Sequence, residues 1–197
     1  MLSTKENHNL FILSAPSCGG KTTVAKILVA HDDKIKRSVS FCTRNPRVSE
    51  VNGQDYFFID RGRFLSMKNG GEFLEYAEVF GELYGTSLKY IESLLDAGFD
   101  VLLVLDTQGY AQVKANLKEK AVGIFLLPKS LDVLKERMVK RGQNLPEDME
   151  NRLAQAKQDI SKAPTYDYTV INDNLKMAVN EVQRIIKAVR AFSKLSI

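Results

Sequence analysis

Residues 10 to 29 constrain this 197-residue chain more than any other stretch. The apolar run Leu10-Phe11-Ile12-Leu13 stops at Ser14-Ala15-Pro16, and a glycine-containing turn follows. Thr22 to Val29 then repeats apolar residues at helical spacing. A short, continuously apolar run bounded by turn residues is the pattern of a strand buried on both faces, as in a parallel sheet covered by helices. The same kind of run recurs at 101–105 and 122–127, with a shorter one at 168–171. Helical patterns separate these runs, at roughly 88–97, 131–141, 147–161 and 175–193. Strand and helix in alternation predict an α/β layered fold built on a parallel sheet.

The turn itself carries chemistry. Residues 15 to 22 read A-P-S-C-G-G-K-T, against the phosphate-loop pattern G-x-x-x-x-G-K-[ST]. In such a loop successive backbone N–H groups surround phosphate oxygens, and the helix that follows adds positive potential. Ala15, Pro16, Ser17, Cys18, Gly19, Gly20, Lys21 and Thr22 are therefore the candidate cradle. Lys21 would reach the β- and γ-phosphates, and the Thr22 hydroxyl would take a place on Mg²⁺. Ala15 stands where the pattern has its first glycine, at a strand end where ordinary φ is expected. Asp106 follows the second buried run, as V-L-L-V-L-D, and is the expected acidic partner of the metal.

Composition excludes several other classes. With 44% hydrophobic and 26% charged residues, the chain can bury a core without disulfides or a structural metal. Its two cysteines and two histidines provide no zinc or disulfide framework. A formal net charge of +4 suits small polyanions such as nucleotides, and no dense basic stripe marks a nucleic-acid binder. No apolar stretch approaches a membrane span, and the polar start M-L-S-T-K-E-N-H-N-L lacks a signal pattern, so the cytoplasm is the expected compartment. No pattern of an oligomer interface stands out.

The segment from Ser38 to Tyr84 breaks the α/β rhythm. It is rich in aromatic and charged residues, has β-like pieces near 55–59 and 73–76, and reads as an inserted β-rich subdomain. Within it, Arg44 and Arg47 lie three apart across a proline. Planar guanidiniums on a stiff turn are suited to clamping a phosphate bidentately.

Signposts now accumulate in order along the chain: P-S-C-G-G-K-T-T, S-V-S-F-C-T-R-N-P-R, G-Q-D-Y-F-F, E-F-L-E, Y-G-T, D-T-Q-G, R-M-V-K-R-G and a late N-D. Together, from about Leu10 to the last helix, they closely resemble the guanylate kinase family of P-loop nucleoside monophosphate kinases. The resemblance implies transfer of the γ-phosphoryl group of ATP to GMP with Mg²⁺, in purine nucleotide metabolism. It implies a core of about 8–37, 88–135 and 165–197, a GMP-binding insert of about 38–87 and a helical lid of about 136–164.

Carried over position by position, the resemblance implies that Arg44, Arg47, Tyr56 and Tyr84 grip the GMP phosphate. Ser40, Glu75 and Thr86 would face guanine, whose N1–H and exocyclic amine a carboxylate can accept, and Asp106 is counted with both the metal and the GMP groups. Arg141 and Arg152 of the lid would act on the transferring phosphoryl group with Lys21 and Arg44. Arg137 would lie on the ATP side, and Asn172 near the adenine. Without the resemblance, Lys and Arg at helical spacing in 137–152 read as a solvated helix face.

Two departures stand out. Where the family usually has glycine at 18 and a small non-glycine residue at 19, this chain has Cys18-Gly19. If position 18 needs positive φ, the cysteine carries on the order of 1 kcal/mol of strain unless Gly19 absorbs it by a changed loop path. A thiol at this place is also a candidate for modification that ATP would block. Val104 stands where the family commonly has an acid, two residues before Asp106. Two rivals remain: a non-catalytic phosphopeptide-binding module of the same fold, and a kinase for another nucleoside monophosphate.

Overall fold

The computed structural model of the chain describes residues 8–140 and 146–193. It begins with β1 (Leu10–Ser14), α1 (Lys21–His31) and β2 (Ile35–Arg37). There follow β3 (Phe41–Cys42), β4 (Phe57–Phe58), α2 (Arg61–Asn69), β5 (Phe73–Val79) and β6 (Glu82–Ser87). The chain continues through α3 (Leu88–Asp96), β7 (Asp100–Val104), α4 (Thr107–Leu117) and β8 (Ala121–Leu127). It ends in α5 (Leu131–Lys140), α6 (Pro146–Ser161), β9 (Tyr168–Ile171) and α7 (Leu175–Ser193).

Five strands form a parallel sheet in the order β2-β7-β1-β8-β9, with β1 at its centre. Because side chains alternate across a strand, β1 serves two cores at once. Phe11 and Leu13 pack with Val24 and Leu28 of α1 and with Val182 and Ile186 of α7. Leu10 and Ile12 face the opposite layer, with Ile91 and Leu95 of α3 and Val113 of α4. Helices on both faces explain why the strands read as unbroken apolar runs. The loop after β1 leaves from the carboxyl edge of the sheet, between neighbours on either side, where open α/β sheets place their ligands.

A second sheet, ordered β4-β3-β6-β5, is mixed: β3 and β4 are parallel and the other pairs antiparallel. It has its own small core of Phe64 from α2, Phe73 and Leu83. Gly85 of β6 sits beneath those rings, and a Cβ there would meet Phe64 and Phe73 at 3.0 Å. Gln112 of α4 pins β5 to the main body, accepting from the Tyr76 N–H and donating to the Tyr76 carbonyl. Helices α5 and α6 pack through Leu134, Met138 and Ala156.

Several elements are absent from the sequence reading, β3 and β6 of the second sheet among them. The strand β2 is three residues long and carries two basic side chains, too little for a periodic signal. Helix α2 is polar through most of its length and buries only Phe64. Helix α4 holds a glycine in its first turn, where helix propensity is poorest, and is started instead by the Asp106 cap.

Candidate active site

The chain leaves β1 at Ser14 and turns at once. Gly19 N–H bonds to the Pro16 carbonyl at 2.9 Å, closing the turn, and Gly20 enters α1 at φ 95. Two glycines here have distinct causes. Gly20 needs the left-handed region, and a Cβ on it would also collide with the Asn172 amide. Gly19 needs the space, since its Cβ would meet the Ala15 Cβ at 2.7 Å and the Pro16 carbonyl at 2.8 Å. Ala15 itself is not among the positive-φ residues.

Cys18 holds φ 60, so the loop keeps its left-handed turn at position 18 and the strain stays on the cysteine instead of passing to Gly19. That strain, on the order of 1–2 kcal/mol, is offset by packing. The buried Cys18 side chain joins Leu134, Met138 and Ala156 of α5 and α6, fastening the phosphate loop to the base of the two helices.

The loop, residues 15–22, forms one wall of a cleft of about 310 Å³. Ser40, Arg44, Arg47, Tyr56, Glu75, Tyr84, Asp106 and Arg152 line the same cleft. Within the loop, Lys21 Nζ donates to the Ala15 carbonyl at 2.5 Å. Thr22 is exposed in the first turn of α1. Asp106 caps α4, its Oδ1 accepting from the N–H groups of Gln108 and Gly109 at 3.0 and 2.8 Å. Only Oδ1 takes part in that cap. Val104, at the end of β7, lines the cleft beside it.

At the far end of the cleft lies a buried carboxylate. Glu75 is 4% exposed. A register shift in the β5–β6 ladder, where Phe73 pairs with Ser87 and Glu75 with Thr86, sets two steps on β5 against one on β6. This bulge breaks the alternation, so that Phe73, Leu74 and Glu75 are all buried in succession. Glu75 accepts a 2.5 Å hydrogen bond from Thr86 Oγ1, which lies 3.2 Å from Ser40 Oγ. Burial pushes the Glu75 carboxyl up to about 7; the Thr86 bond works against this and the nearby Asp106 adds to it. Gly109 lets the carboxylate come this close to α4, for a Cβ there would stand 2.7 Å from Glu75 Oε2.

The neighbouring arginine is in the opposite condition. Arg44 is gripped bidentately by Glu50, at 2.6 and 2.7 Å, and its Nε donates to the Tyr84 hydroxyl at 3.2 Å. Its guanidinium carbon lies 5.1 Å from the Tyr56 ring centroid. Hydrogen bonding to Glu50 raises the Arg44 pKa further, and the same pair holds Glu50 below the usual carboxylate range. Burial raises both Tyr56 and Tyr84, so each keeps its phenolic proton to donate. Arg47 is more exposed and only 3.9 Å from Glu50, while its backbone N–H also bonds to that carboxylate. Glu50 was not anticipated from sequence. The available signal was an acid three residues after Arg47, in the turn closed by the Glu50 N–H to Arg47 carbonyl bond.

Thr86, Asn172 and Arg137 are not among the residues that line the cleft. Thr86 is fully buried and acts through Glu75 and Ser40. Asn172 is 3% exposed and sits behind the loop, its amide donating to the Gly19 carbonyl at 2.8 Å. Arg137 donates to the Asn172 carbonyl at 3.2 Å, continuing the brace. Arg141 lies outside the described residues.

A phosphate loop, a paired arginine clamp and a recessed carboxylate share one cleft, and the comparisons with known proteins agree. A family profile described as "Guanylate kinase" matches residues 7–189. The chain belongs to the guanylate kinase family. It is 46% identical over 181 residues to the guanylate kinase of Nitrosomonas europaea, covering 92% of this chain and 90% of that one. It is 43% identical to the Neisseria gonorrhoeae guanylate kinase over 189 residues, 96% and 92% of the two chains. A crystal structure of guanylate kinase from Anaplasma phagocytophilum superposes with a TM-score of 0.79 at 34% identity, covering 94% of this chain and 88% of that one. Among the described residues no helix is long and apolar enough to cross a membrane.

Proposed function

We propose that this chain transfers the γ-phosphoryl group of ATP to GMP, yielding ADP and GDP, in the purine nucleotide metabolism of the cytoplasm. The observation that carries the reading is the recessed Glu75–Thr86–Ser40 cluster facing the same cleft as the phosphate loop. Guanine offers two adjacent donors, N1–H and the exocyclic amine, and an ionised Glu75 accepts both. Adenine offers no such pair, and a buried carboxylate left without donors penalises it heavily.

The roles then divide between the bodies of the fold. The insert, about 38–87, binds GMP. The lid, about 136–164, closes on ATP, whose phosphates lie against the loop of residues 15–22 and the N-terminus of α1. Lys21 neutralises charge at the β- and γ-phosphates. Arg44 and Arg47, with the Tyr56 and Tyr84 hydroxyls, aim a GMP phosphate oxygen in line. Arg152 and Arg141 act on the transferring group. Phosphoryl transfer needs little covalent work from a protein, so placement and charge neutralisation carry it. Asn172, near the adenine, and Arg137, on the ATP side, also brace the loop from behind.

Mg²⁺ fits the groups present. Among the described residues no cluster of three or more His, Cys, Asp or Glu could hold a metal by itself. Mg²⁺ is commonly held by one or two protein oxygens plus substrate phosphates, and the Thr22 hydroxyl and the Asp106 carboxylate are hard oxygen donors on the cleft wall. When bound, the ion supplies neutralising charge to the phosphates. Assaying ADP release with Mg-ATP and, separately, GMP, dGMP, AMP, UMP and CMP tests the assignment. Turnover confined to the guanine acceptors is expected; turnover with another base, or with none, refutes it.

A further inference from the structure

Helix α6 presents one face to the cleft. Arg152, Gln155 and Asp159 all line it, and their spacing of three and then four residues puts them on one stripe of the helix. Asp159 stands in the last turn of α6, where the negative end of the helix dipole disfavours a carboxylate. It is nonetheless only 8% exposed. A buried carboxylate in such a place persists because its partners hold it.

Its partner on another element is Thr107, 3% exposed and the first residue of α4. Thr107 Oγ1 donates to Asp159 Oδ1 at 2.9 Å, and the Gln155 amide donates to the same oxygen at 3.2 Å. Lys162 Nζ lies 3.1 Å from Thr107 Oγ1. An ammonium only donates, so the hydroxyl accepts from Lys162 and sends its own proton to Asp159. Thr107 follows directly on Asp106, whose carboxylate caps α4 from the cleft wall. One buried hydrogen bond therefore ties the helix that carries Arg152 to the turn that carries Asp106.

We propose that Thr107 and Asp159 are positioning residues for phosphoryl transfer. Their hydrogen bond sets the rotation and height of α6 against α4, and with it the point from which Arg152 enters the cleft relative to Asp106. Arg152 keeps its own side-chain contacts, the Phe80 ring among them; the bond fixes the backbone from which that side chain starts. The proposal rests on the kinase reading and on Arg152 as a group that meets the transferring phosphoryl. Transfer depends steeply on such placement, since a displacement of about 1 Å can cost about 10²-fold in rate.

The test compares wild type, Thr107→Val, Thr107→Ser, Arg152→Ala and the Thr107→Val/Arg152→Ala double variant. It measures kcat, KM for GMP and for ATP, and the unfolding midpoint of each, with rates taken well below every midpoint. Thr107→Val keeps the shape and removes the hydroxyl. It is expected to lower kcat about tenfold with KM for GMP near wild type. Its midpoint should fall as well, because Asp159 loses a buried donor. Thr107→Ser keeps the hydroxyl and loses the methyl group, so it should lower the midpoint yet hold kcat within about twofold of wild type. In the Arg152→Ala background the valine substitution should lower kcat no further. An unchanged kcat in Thr107→Val, a loss in Thr107→Ser as large as that in Thr107→Val, or the same fold loss in both backgrounds overturns the proposal while the kinase reading stands. A wild type that leaves GMP unphosphorylated overturns both.

Discussion

The two ends of the acceptor site are built on opposite plans. At the base end, Glu75 is sealed among β5, β6 and α4 with a neutral hydroxyl as its hydrogen-bond partner, and its affinity for a proton rises to about 7. At the phosphate end, Arg44 is met by a carboxylate of its own chain and flanked by two tyrosines. One end is a polar group held in want of donors; the other is charge already balanced. The difference teaches where discrimination lies. An uncompensated carboxylate rewards only a base that brings two donors. In the proposed function the balanced arginine would fix geometry, and the more exposed Arg47 would supply the excess positive charge for a phosphate.

The largest effects should come from removing charge at the phosphate end. Lys21→Ala and Arg44→Ala are each expected to lower kcat/KM by about 10³-fold, the scale of a lost cation on a transferring phosphoryl group. Unfolding midpoints should stay near wild type for Lys21→Ala. Steady-state assays beside thermal melts check this; full activity in Arg44→Ala would break the comparison at its phosphate end, and full activity in Lys21→Ala would contradict the kinase reading.

The base end should show itself in stability. A carboxyl whose folded pKa is raised favours the folded state most while protonated, so its contribution is present at acid pH and is lost as pH rises from about 4.5 to about 7. Glu75→Gln removes that loss. Without nucleotides it should be more stable than wild type at pH 8 by up to about 3 kcal/mol, and equal to it near pH 4.5. Denaturant titrations of both proteins across that range are the check. A variant less stable than wild type at pH 8 would mean that the carboxylate is better solvated or paired than its burial indicates.

The smallest effect concerns the loop. Cys18→Gly relieves the left-handed strain at φ 60 but removes the side chain from the Leu134–Met138–Ala156 cluster. These oppose one another, and the net change should lie within about 1 kcal/mol. Alkylation of Cys18 should be slow, because reagents reach the buried thiol only when α5 and α6 move. Mass spectrometry with and without ATP follows this, and rapid labelling unaffected by ATP would count against the packing described.

Much of this architecture is legible in the sequence because the chemistry there is periodic or local. The unbroken apolar runs of β1, β7 and β8 announce a sheet covered on both faces, and the A-P-S-C-G-G-K-T turn carries its own geometry. Arg44 and Arg47 are visible as a pair across Pro46. Glu50 is less so, since what marks it is its pairing with Arg44 in the folded turn. The bulge that aims Glu75 inward leaves no mark on composition, and the need for Gly109 arises only where α4 meets β5. Thr107 and Asp159 look like unrelated polar residues until α4 and α6 bring them within one hydrogen bond. Asn172 matches a loop expected near adenine, yet its amide is turned to the Gly19 carbonyl, a long-range contact that a linear pattern does not express.

The most direct test of the account measures kcat/KM for GMP, IMP and AMP with wild type and Glu75→Gln. IMP keeps the N1–H but lacks the exocyclic amine, so it divides the two donors that Glu75 is proposed to accept. Wild type should prefer GMP to IMP by roughly 10–100-fold and to AMP by roughly 10⁴-fold, as sites built around buried hydrogen bonds do. Glu75→Gln should lower GMP turnover by roughly 10–100-fold, narrowing the GMP preference, while AMP turnover barely changes. Equal losses for all three acceptors, or an undiminished preference for GMP, would contradict the assignment of guanine recognition to this carboxylate.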